Sequence, residues 1–162
     1  METLIRAASG EVDVAAVRAL FDEYAREIAT DLCFQGFAQE RDGLPGAYAP
    51  PRGRLLVAEH GGMIAGCVAL RPLEEGTAEM KRLYLRPGAR GTGLGRRMAL
   101  TVIAEAEGAG YERLRLDTLP AMSAAIAMYR ALGFREIPPY RDNPVPGALF
   151  FERRLEPRSG EP

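Results

Sequence analysis

A glycine-rich turn, Gly88 to Gly95, constrains this chain more than any other stretch of its sequence. An alternating run from Glu79 to Arg86 precedes the turn, and Pro87 stops that run because proline cannot donate to a strand ladder. Apolar residues then recur at the i+4 spacing of a helix: Leu94, Met98, Val102 and Ala106. The sequence therefore predicts a strand, a glycine turn and a helix in direct succession.

Such a turn can bind an anion. Glycine lets the backbone approach a ligand closely, and the first turn of a helix carries unpaired N–H groups and a partial positive charge. Together these features favour phosphate. Arg96 and Arg97 oppose the helix dipole unless an anion offsets them. The alternative is that the glycines only make a tight turn and the arginines point to solvent, and the spacing leaves both interpretations open.

Two familiar phosphate motifs do not fit this turn. A P-loop requires Gly-Lys-Ser/Thr, and no lysine follows these glycines. In the Rossmann pattern G-x-G-x-x-G, Arg96 stands where the third glycine belongs. That pattern also usually opens its domain, whereas several predicted strands precede this turn. A dinucleotide-binding domain remains only as an alternative.

The length of 162 residues, with 47% hydrophobic and 27% charged residues, suits one globular domain. We expect residues 1–155 to form that domain and residues 156–162 to be a disordered tail. The remaining periodicities predict a helix from Val12 to Ile28, a hairpin across His60-Gly61-Gly62 and a second-half helix from Ala121 to Leu132. Further strands are predicted at 3–7, 55–59, 63–70, 112–119, 134–137 and 148–155. Strands that alternate with helices in this way indicate an α/β fold on a mixed sheet.

Composition limits the partners and the compartment. The longest apolar run, Gly61 to Leu70, is about half of the ~20 residues that span a membrane, and the N-terminus lacks the pattern of a signal peptide. A net charge of −1 gives no general footprint for nucleic acid. Two cysteines, Cys33 and Cys67, and one histidine, His60, disfavour a disulfide framework and a zinc site. We therefore expect a cytoplasmic protein without a metal, and Cys67 in its core.

Two blocks of the sequence resemble one family. The stretch Leu85 to Gly95 is similar to the acetyl-coenzyme A loop of the GCN5-related N-acetyltransferases (GNAT), and Ala125 to Phe134 is similar to that family's Ala-x-x-Leu-Tyr-x-x-x-Gly-Phe signature. The blocks lie in the family's order and separation. The resemblance implies a mixed, mostly antiparallel central sheet flanked by helices on both faces.

The resemblance also implies roles for particular residues. Main-chain groups of Leu83 and Leu85 would pair with the pantetheine arm of acetyl-coenzyme A, and Tyr129 would protonate the departing thiolate. The pyrophosphate would bind at the backbone N–H groups of the turn, with Arg96 beside them: Arg90, Gly91, Thr92, Gly93, Leu94 and Gly95.

Two candidate catalytic residues have a second interpretation. Tyr129 shares an apolar stripe with Met122, Ala125 and Ile126, where a tyrosine is most often a core residue. Glu79 is the candidate base, because strict alternation would place it on the same face as Leu83 and Leu85. It could instead be an exposed carboxylate paired with Lys81 or a nearby arginine, with water relaying the proton.

The resemblance thus implies an N-acetyltransferase with acetyl-coenzyme A as co-substrate and no acyl-enzyme intermediate. Its acceptor would be a small-molecule or peptide amine, and family analogy suggests a homodimer. The net charge and the short apolar runs lead us to expect no nucleic-acid or membrane partner. The segments 31–53 and 140–147 are expected to wall the acceptor pocket. The alternative is a module that binds or senses acyl-coenzyme A without turnover.

Overall fold

A seven-stranded mixed sheet forms the centre of the molecule. The computed structural model describes residues 2–28 and 36–158. The strands are β1 Thr3–Ala7, β2 Arg54–His60, β3 Met63–Glu74, β4 Thr77–Leu85, β5 Arg113–Thr118, β6 Arg135–Ile137 and β7 Leu149–Arg154. The helices are α1 Gly10–Ile28, α2 Phe37–Asp42, α3 Leu94–Gly108 and α4 Ser123–Ala131, with 3-10 turns at Gly46–Tyr48 and Pro87–Ala89. The predicted strands and helices are confirmed, with ends that move by up to four residues.

The sheet is mostly antiparallel, as the resemblance implied. Its strand order is β1-β2-β3-β4-β5-β7-β6, and β4 with β5 is the parallel pair. This pair aligns only three residues of each strand, from Thr77 with Arg113 to Glu79 with Arg115. Beyond that point β4 runs on to Leu85 and β5 to Thr118 without pairing to each other in the described sheet. The sheet therefore opens between its two central strands.

Helices cover both faces of the sheet, and the two faces carry separate apolar clusters. The α3 face is built from Leu94, Met98 and Val102 of α3, packed on strand residues such as Leu114 and Leu116. Helix α4 belongs to the same cluster through Tyr129, and Leu132, which follows the helix, packs there as well. The α1 face is built from Val17, Leu20, Phe21, Val57, Cys67 and Tyr84. Cys67 is fully buried, which confirms it as a core residue, and burial raises the pKa of its thiol to about 12.

A bulge in β4 breaks the alternation that the sequence predicted. From Cys67 to Ala69 the partner strand advances two residues, while β4 advances three, from Tyr84 back to Lys81. Arg82, inside this bulge, has a φ of 60°. A bulge places an extra residue on one strand and shifts the facing of everything beyond it.

The bulge corrects the predicted facing of Glu79. Leu83 and Leu85 pack with the α3 cluster, together with Met80. Glu79 instead pairs across the sheet with Arg71, one residue along from the Leu70–Met80 pair of the α3 face. The expectation that Glu79 shares a face with Leu83 and Leu85 is therefore wrong, because strict alternation does not continue through an inserted residue.

The chain end returns to α3. The backbone N–H of Glu156 donates to the Glu107 carboxylate at 2.9 Å, and that of Arg158 donates to the Glu107 carbonyl at 3.0 Å. The rest of the predicted tail, residues 159–162, and also Cys33 lie outside the described residues. Among the helices of the described residues, none combines the length and apolarity that crossing a membrane requires.

Candidate active site

The glycine turn leads from β4 into α3 through two left-handed glycines. Gly91 has a φ of 78° and Gly93, which precedes the helix, has a φ of 80°. Only glycine adopts this backbone without strain. A Cβ added at Gly88, Gly91 or Gly93 would meet open space within 4 Å. The turn therefore presents an exposed backbone surface rather than packing against the protein.

The first amides of α3 are available at this surface. The first intrahelical bond runs from the Arg97 N–H to the Gly93 carbonyl at 3.1 Å, so the N–H groups of Leu94, Gly95 and Arg96 precede it. No side chain caps the helix. These amides and the helix dipole suit the diphosphate of a nucleotide cofactor. The Arg90 N–H is less suited, because it donates to the Pro87 carbonyl at 3.2 Å.

A cavity fills the opening between β4 and β5. It is lined by residues of both strands, α1, α4 and the loop after β6: Tyr24, Ile28, Met80, Lys81, Arg82, Leu83, Leu116, Asp117, Thr118, Leu119, Met122, Tyr129 and Asn143. A groove that shares Tyr24, Leu83 and Met122 with this cavity continues past Leu85 to Arg90 at the glycine turn. The cavity and the anion-binding turn are thus joined along β4.

Tyr129 lies at this cavity with its ring buried. The ring packs on Phe134 and Phe151, with centroids at 5.7 and 6.4 Å. Burial raises the pKa of its hydroxyl, which keeps the hydroxyl protonated at neutral pH. Within the described part of the chain, no hydrogen-bond partner of this hydroxyl is found. The Tyr129 ring is therefore part of the core, and the same residue lines the cavity. This position is compatible with a core role and with the role of an acid.

Glu79 is buried, and three side chains donate hydrogen bonds to its carboxylate. Its carboxylate accepts hydrogen bonds from Arg71 at 2.9 Å, from Tyr140 at 2.6 Å and from Arg141. Burial acts to raise the pKa of this carboxyl, but Lys81 and Arg141 outweigh it and hold the pKa below its usual range. A carboxylate already held by three donors is poorly placed to take a proton from an acceptor. Its role as base stays a prediction.

Three residues that line the cavity were not predicted from the sequence: Arg82, Asp117 and Asn143. Arg82 donates two hydrogen bonds to Glu40 of α2, at 2.8 and 3.1 Å. The Asn143 amide donates to Asp117 at 3.3 Å. The bulge brings Arg82 to this place, and a bulge leaves no periodic signal in the sequence. Asp117 could have been identified only as a charged residue that alternates with buried leucines in a predicted strand.

The two segments expected to wall the acceptor pocket differ: 140–147 contributes to the cavity lining, whereas the described residues of 31–53 do not line it and instead contact Arg82. From 31–53, the α2 residues Phe37 and Glu40 hold Arg82, since its guanidinium lies 5.2 Å from the Phe37 ring centroid. Residues 31–35 lie outside the described residues. From 140–147, Tyr140 and Arg141 bind Glu79, and Asn143 reaches the cavity.

Among residues 2–28 and 36–158 no group of His, Cys, Asp or Glu is arranged to hold a metal ion.

The fold and the site thus combine an opened mixed sheet, a glycine turn with exposed amides at the start of a helix, and a cavity lined by a tyrosine. Comparison with known proteins gives the family. The model of the acetyltransferase (GNAT) family matches residues 14–134. An N-acetyltransferase of Schizosaccharomyces pombe, itself uncharacterised, is 40% identical over 147 residues, covering 89% of this chain and 88% of its own. The chain belongs to the GNAT family.

Solved structures agree in fold. A GNAT acetyltransferase of Staphylococcus aureus superposes with a TM-score of 0.78 at 19% identity, covering 95% of this chain and 99% of its own. A Salmonella typhimurium protein solved with its cofactor acetyl-CoA gives a TM-score of 0.67 at 22% identity, over 94% of each chain. Membership of the family makes this chain an acyltransferase that uses acetyl-CoA.

Proposed function

We propose that the chain transfers the acetyl group of acetyl-CoA to a primary amine by direct attack, with Tyr129 as the acid. The observation that supports this most is the continuous path from the amides of α3, along Leu85 and Leu83, to the cavity that Tyr129 lines. A diphosphate held at one end of this path and a thioester at the other would place the reacting carbon beside the Tyr129 hydroxyl.

The residues have separate tasks. The amides of Gly91 to Arg96 bind the diphosphate, and the main chain of Leu83 and Leu85, on the unpaired edge of β4, binds the amide-bearing arm. Acetyl-CoA supplies the thioester: the amine nitrogen bonds to its carbonyl carbon, the C–S bond breaks, and the amine loses one proton. Tyr129 gives a proton to the leaving sulfur, since its hydroxyl lines the cavity and is protonated at neutral pH.

The proton released by the amine needs an acceptor. Glu79 is the candidate from sequence, and its three donors favour the alternative in which water carries the proton away. The two are separated by the pH dependence of kcat/KM in Glu79→Gln. If Glu79 is the base, the limb of the profile that reports its ionisation disappears. If water carries the proton, the shape of the profile is unchanged.

Tyr129→Phe tests the function itself. We expect kcat to fall by about 100-fold or more, as for loss of a general acid, with the Kd of coenzyme A unchanged by calorimetry. Tyr111→Phe is the matched control, since that buried hydroxyl binds the Arg52 carbonyl at 2.7 Å and does not line the cavity. Coenzyme A binding without turnover of any amine would support the non-catalytic alternative, and absence of coenzyme A binding would overturn the proposal.

A further inference from the structure

Tyr24 of α1 lies at the junction between the cavity and the groove that leads from it to Arg90. Three of the described residues line both spaces: Tyr24, Leu83 and Met122. Of these three side chains, that of Tyr24 is the one with an O–H donor. The proposed function places the thioester at this junction, because the amide-bearing arm lies along Leu83 and the leaving sulfur lies beside Tyr129. The Tyr24 side chain therefore borders the reacting group.

The Tyr24 ring is held in place by two neighbours. It packs edge-on against the Tyr84 ring, with centroids 6.2 Å apart and an interplanar angle of 81°. The guanidinium carbon of Arg82 lies 5.9 Å from the Tyr24 ring centroid. Arg82 is itself fixed by two hydrogen bonds to Glu40. A polar group that is fixed before the substrate arrives needs no reorganisation when charge develops beside it.

The Tyr24 hydroxyl is protonated at neutral pH. Burial raises its pKa above the ordinary value, and the charge of Arg82 and a hydrogen bond from it act in the opposite direction without cancelling the effect of burial. A phenol oxygen that accepts a hydrogen bond keeps its own proton to donate. Burial and, after it, the nearby Tyr24 raise the pKa of the Tyr129 hydroxyl. Two protonated phenols therefore border one cavity.

Most other side-chain donors that line the cavity are engaged with carboxylates. Lys81 forms an ion pair with Asp117, whose other oxygen accepts from the Asn143 amide at 3.3 Å. Arg82 binds both oxygens of Glu40. The second phenol of the cavity is required at the leaving sulfur. These contacts favour Tyr24 as the side chain that meets an oxygen becoming negative at the junction.

We propose that Tyr24 is a catalytic residue whose hydroxyl donates a hydrogen bond to the carbonyl oxygen of the thioester. As the amine nitrogen bonds to the carbonyl carbon, an electron pair of the C=O bond moves to the oxygen. Tyr24 stabilises this oxyanion and keeps its proton. When the pair returns, the C–S bond breaks and Tyr129 protonates the sulfur. The contact strengthens as charge develops, so it lowers the barrier more than it tightens binding. This inference rests on the proposed function, since acetyl-CoA must lie along β4.

The first test is Tyr24→Phe, which keeps the ring and removes the donor. With the fastest acceptor from a panel of small primary amines, we expect kcat to fall by about 100-fold, as for loss of one oxyanion donor. The Kd of coenzyme A should stay unchanged by calorimetry. Tyr111→Phe is the control and should change kcat by less than about threefold, because its hydroxyl binds the Arg52 carbonyl outside the cavity. A higher KM for the amine with kcat unchanged would assign Tyr24 to amine binding and overturn the inference.

The second test changes the atom that Tyr24 is proposed to contact. In the dithioester analogue of acetyl-CoA, sulfur replaces the carbonyl oxygen and the leaving thiolate is the same. Sulfur accepts hydrogen bonds only weakly, so Tyr24→Phe should slow this donor by less than about threefold. Tyr129→Phe is the matched comparison and should slow both donors alike, since it acts on the leaving sulfur. Equal falls for the two donors in Tyr24→Phe overturn the inference.

The third test needs no amine. Acetyl-CoA labelled with 13C at the thioester carbonyl is bound to the chain, and the carbonyl stretch is followed by infrared difference spectroscopy. A hydrogen bond weakens the C=O bond, so the band of the wild type and of Tyr111→Phe should lie at lower frequency than that of Tyr24→Phe. The same frequency in wild type and Tyr24→Phe contradicts the inference. Failure to bind coenzyme A, or an unchanged kcat in Tyr129→Phe, would instead count against the proposed function.

Discussion

The two faces of the sheet are built from the same strands but bury different chemistry. The α3 face holds an apolar cluster that includes Met98, Val102 and Leu114, all fully buried. The α1 face buries a cluster of Phe21 and its neighbours, and beside it the charged groups Glu79, Lys81 and Arg82. The apolar face fixes where β4 and β5 stand, while the charged face shapes what can enter between them. The α3 face thus stabilises the fold by apolar burial, while the α1 face stabilises it by apolar burial and by ion pairs beside the cavity.

The largest expected effect is on the structural ion pair of the charged face. Arg82→Met removes both hydrogen bonds from the guanidinium to Glu40 and leaves that carboxylate with the Tyr48 hydroxyl, at 2.6 Å, but without its cationic partner. We expect a loss of about 3–5 kcal/mol in the free energy of unfolding, measured by urea denaturation. Arg86→Met, which breaks a half-exposed pair with Glu23, should cost under about 1 kcal/mol. Equal losses in the two variants would remove the distinction between buried and exposed pairs.

A substitution in the core of the α3 face should lower the stability of the fold without changing catalysis. Met98→Ala deletes a fully buried side chain of α3, so we expect a loss of about 3 kcal/mol from lost burial and the cavity left behind. The kcat/KM for an amine acceptor should change by less than about threefold. A larger fall in a folded Met98→Ala protein would show that the two faces are not separate in function.

The charge of Lys81 makes stability depend on pH. Burial lowers the pKa of Lys81 to about 8, so between that value and the ordinary value the unfolded chain binds more protons than the folded chain. Stability should therefore rise with pH from about 8 to about 10.4, by at most about 3 kcal/mol. The difference between wild type and Lys81→Met, followed by urea titration across this range, isolates the contribution. A constant difference would place the Lys81 pKa at its ordinary value.

The smallest expected effect concerns the loop that covers the charged face. Tyr140→Phe removes one hydrogen bond to Glu79 and leaves the Arg71 and Arg141 contacts in place. We expect a loss of about 1.5 kcal/mol, as for a bond to a charged group. KM for the acceptor should rise more than kcat falls, because Asn143 of the same loop reaches the cavity. A pure kcat effect would instead assign Tyr140 a part in the chemistry.

Much of the fold could be predicted from local patterns. The i+4 series of Leu94 and Met98 and the glycines before it specify α3 and its exposed N-terminus without help from the rest of the chain. The signature from Ala125 to Phe134 predicts that Tyr129 lies on a helix next to the core, and the residue lies on α4. These features depend on contacts within a few residues, which periodicity and turn chemistry report directly.

The charged half of the site could not be predicted in the same way. The facing of Glu79 depends on the bulge at Arg82, and a positive φ at an arginine has no signature in composition or periodicity. The pairing of Lys81 with Asp117 joins residues from two strands, and their meeting depends on where β4 and β5 separate. Tertiary geometry of this kind becomes visible only when the strands are placed together.

The separation of β4 and β5 has one more consequence. Three aligned residues of each strand join the half that contains β1 to β4 with the half that contains β5 to β7. Strand pairing therefore joins the two halves at one end only, and their other ends are separated by the cavity. An acetyl-CoA bound along β4 would bridge those ends. Amide hydrogens of Leu116 and Leu83 should then exchange more slowly with solvent deuterium when the cofactor is present.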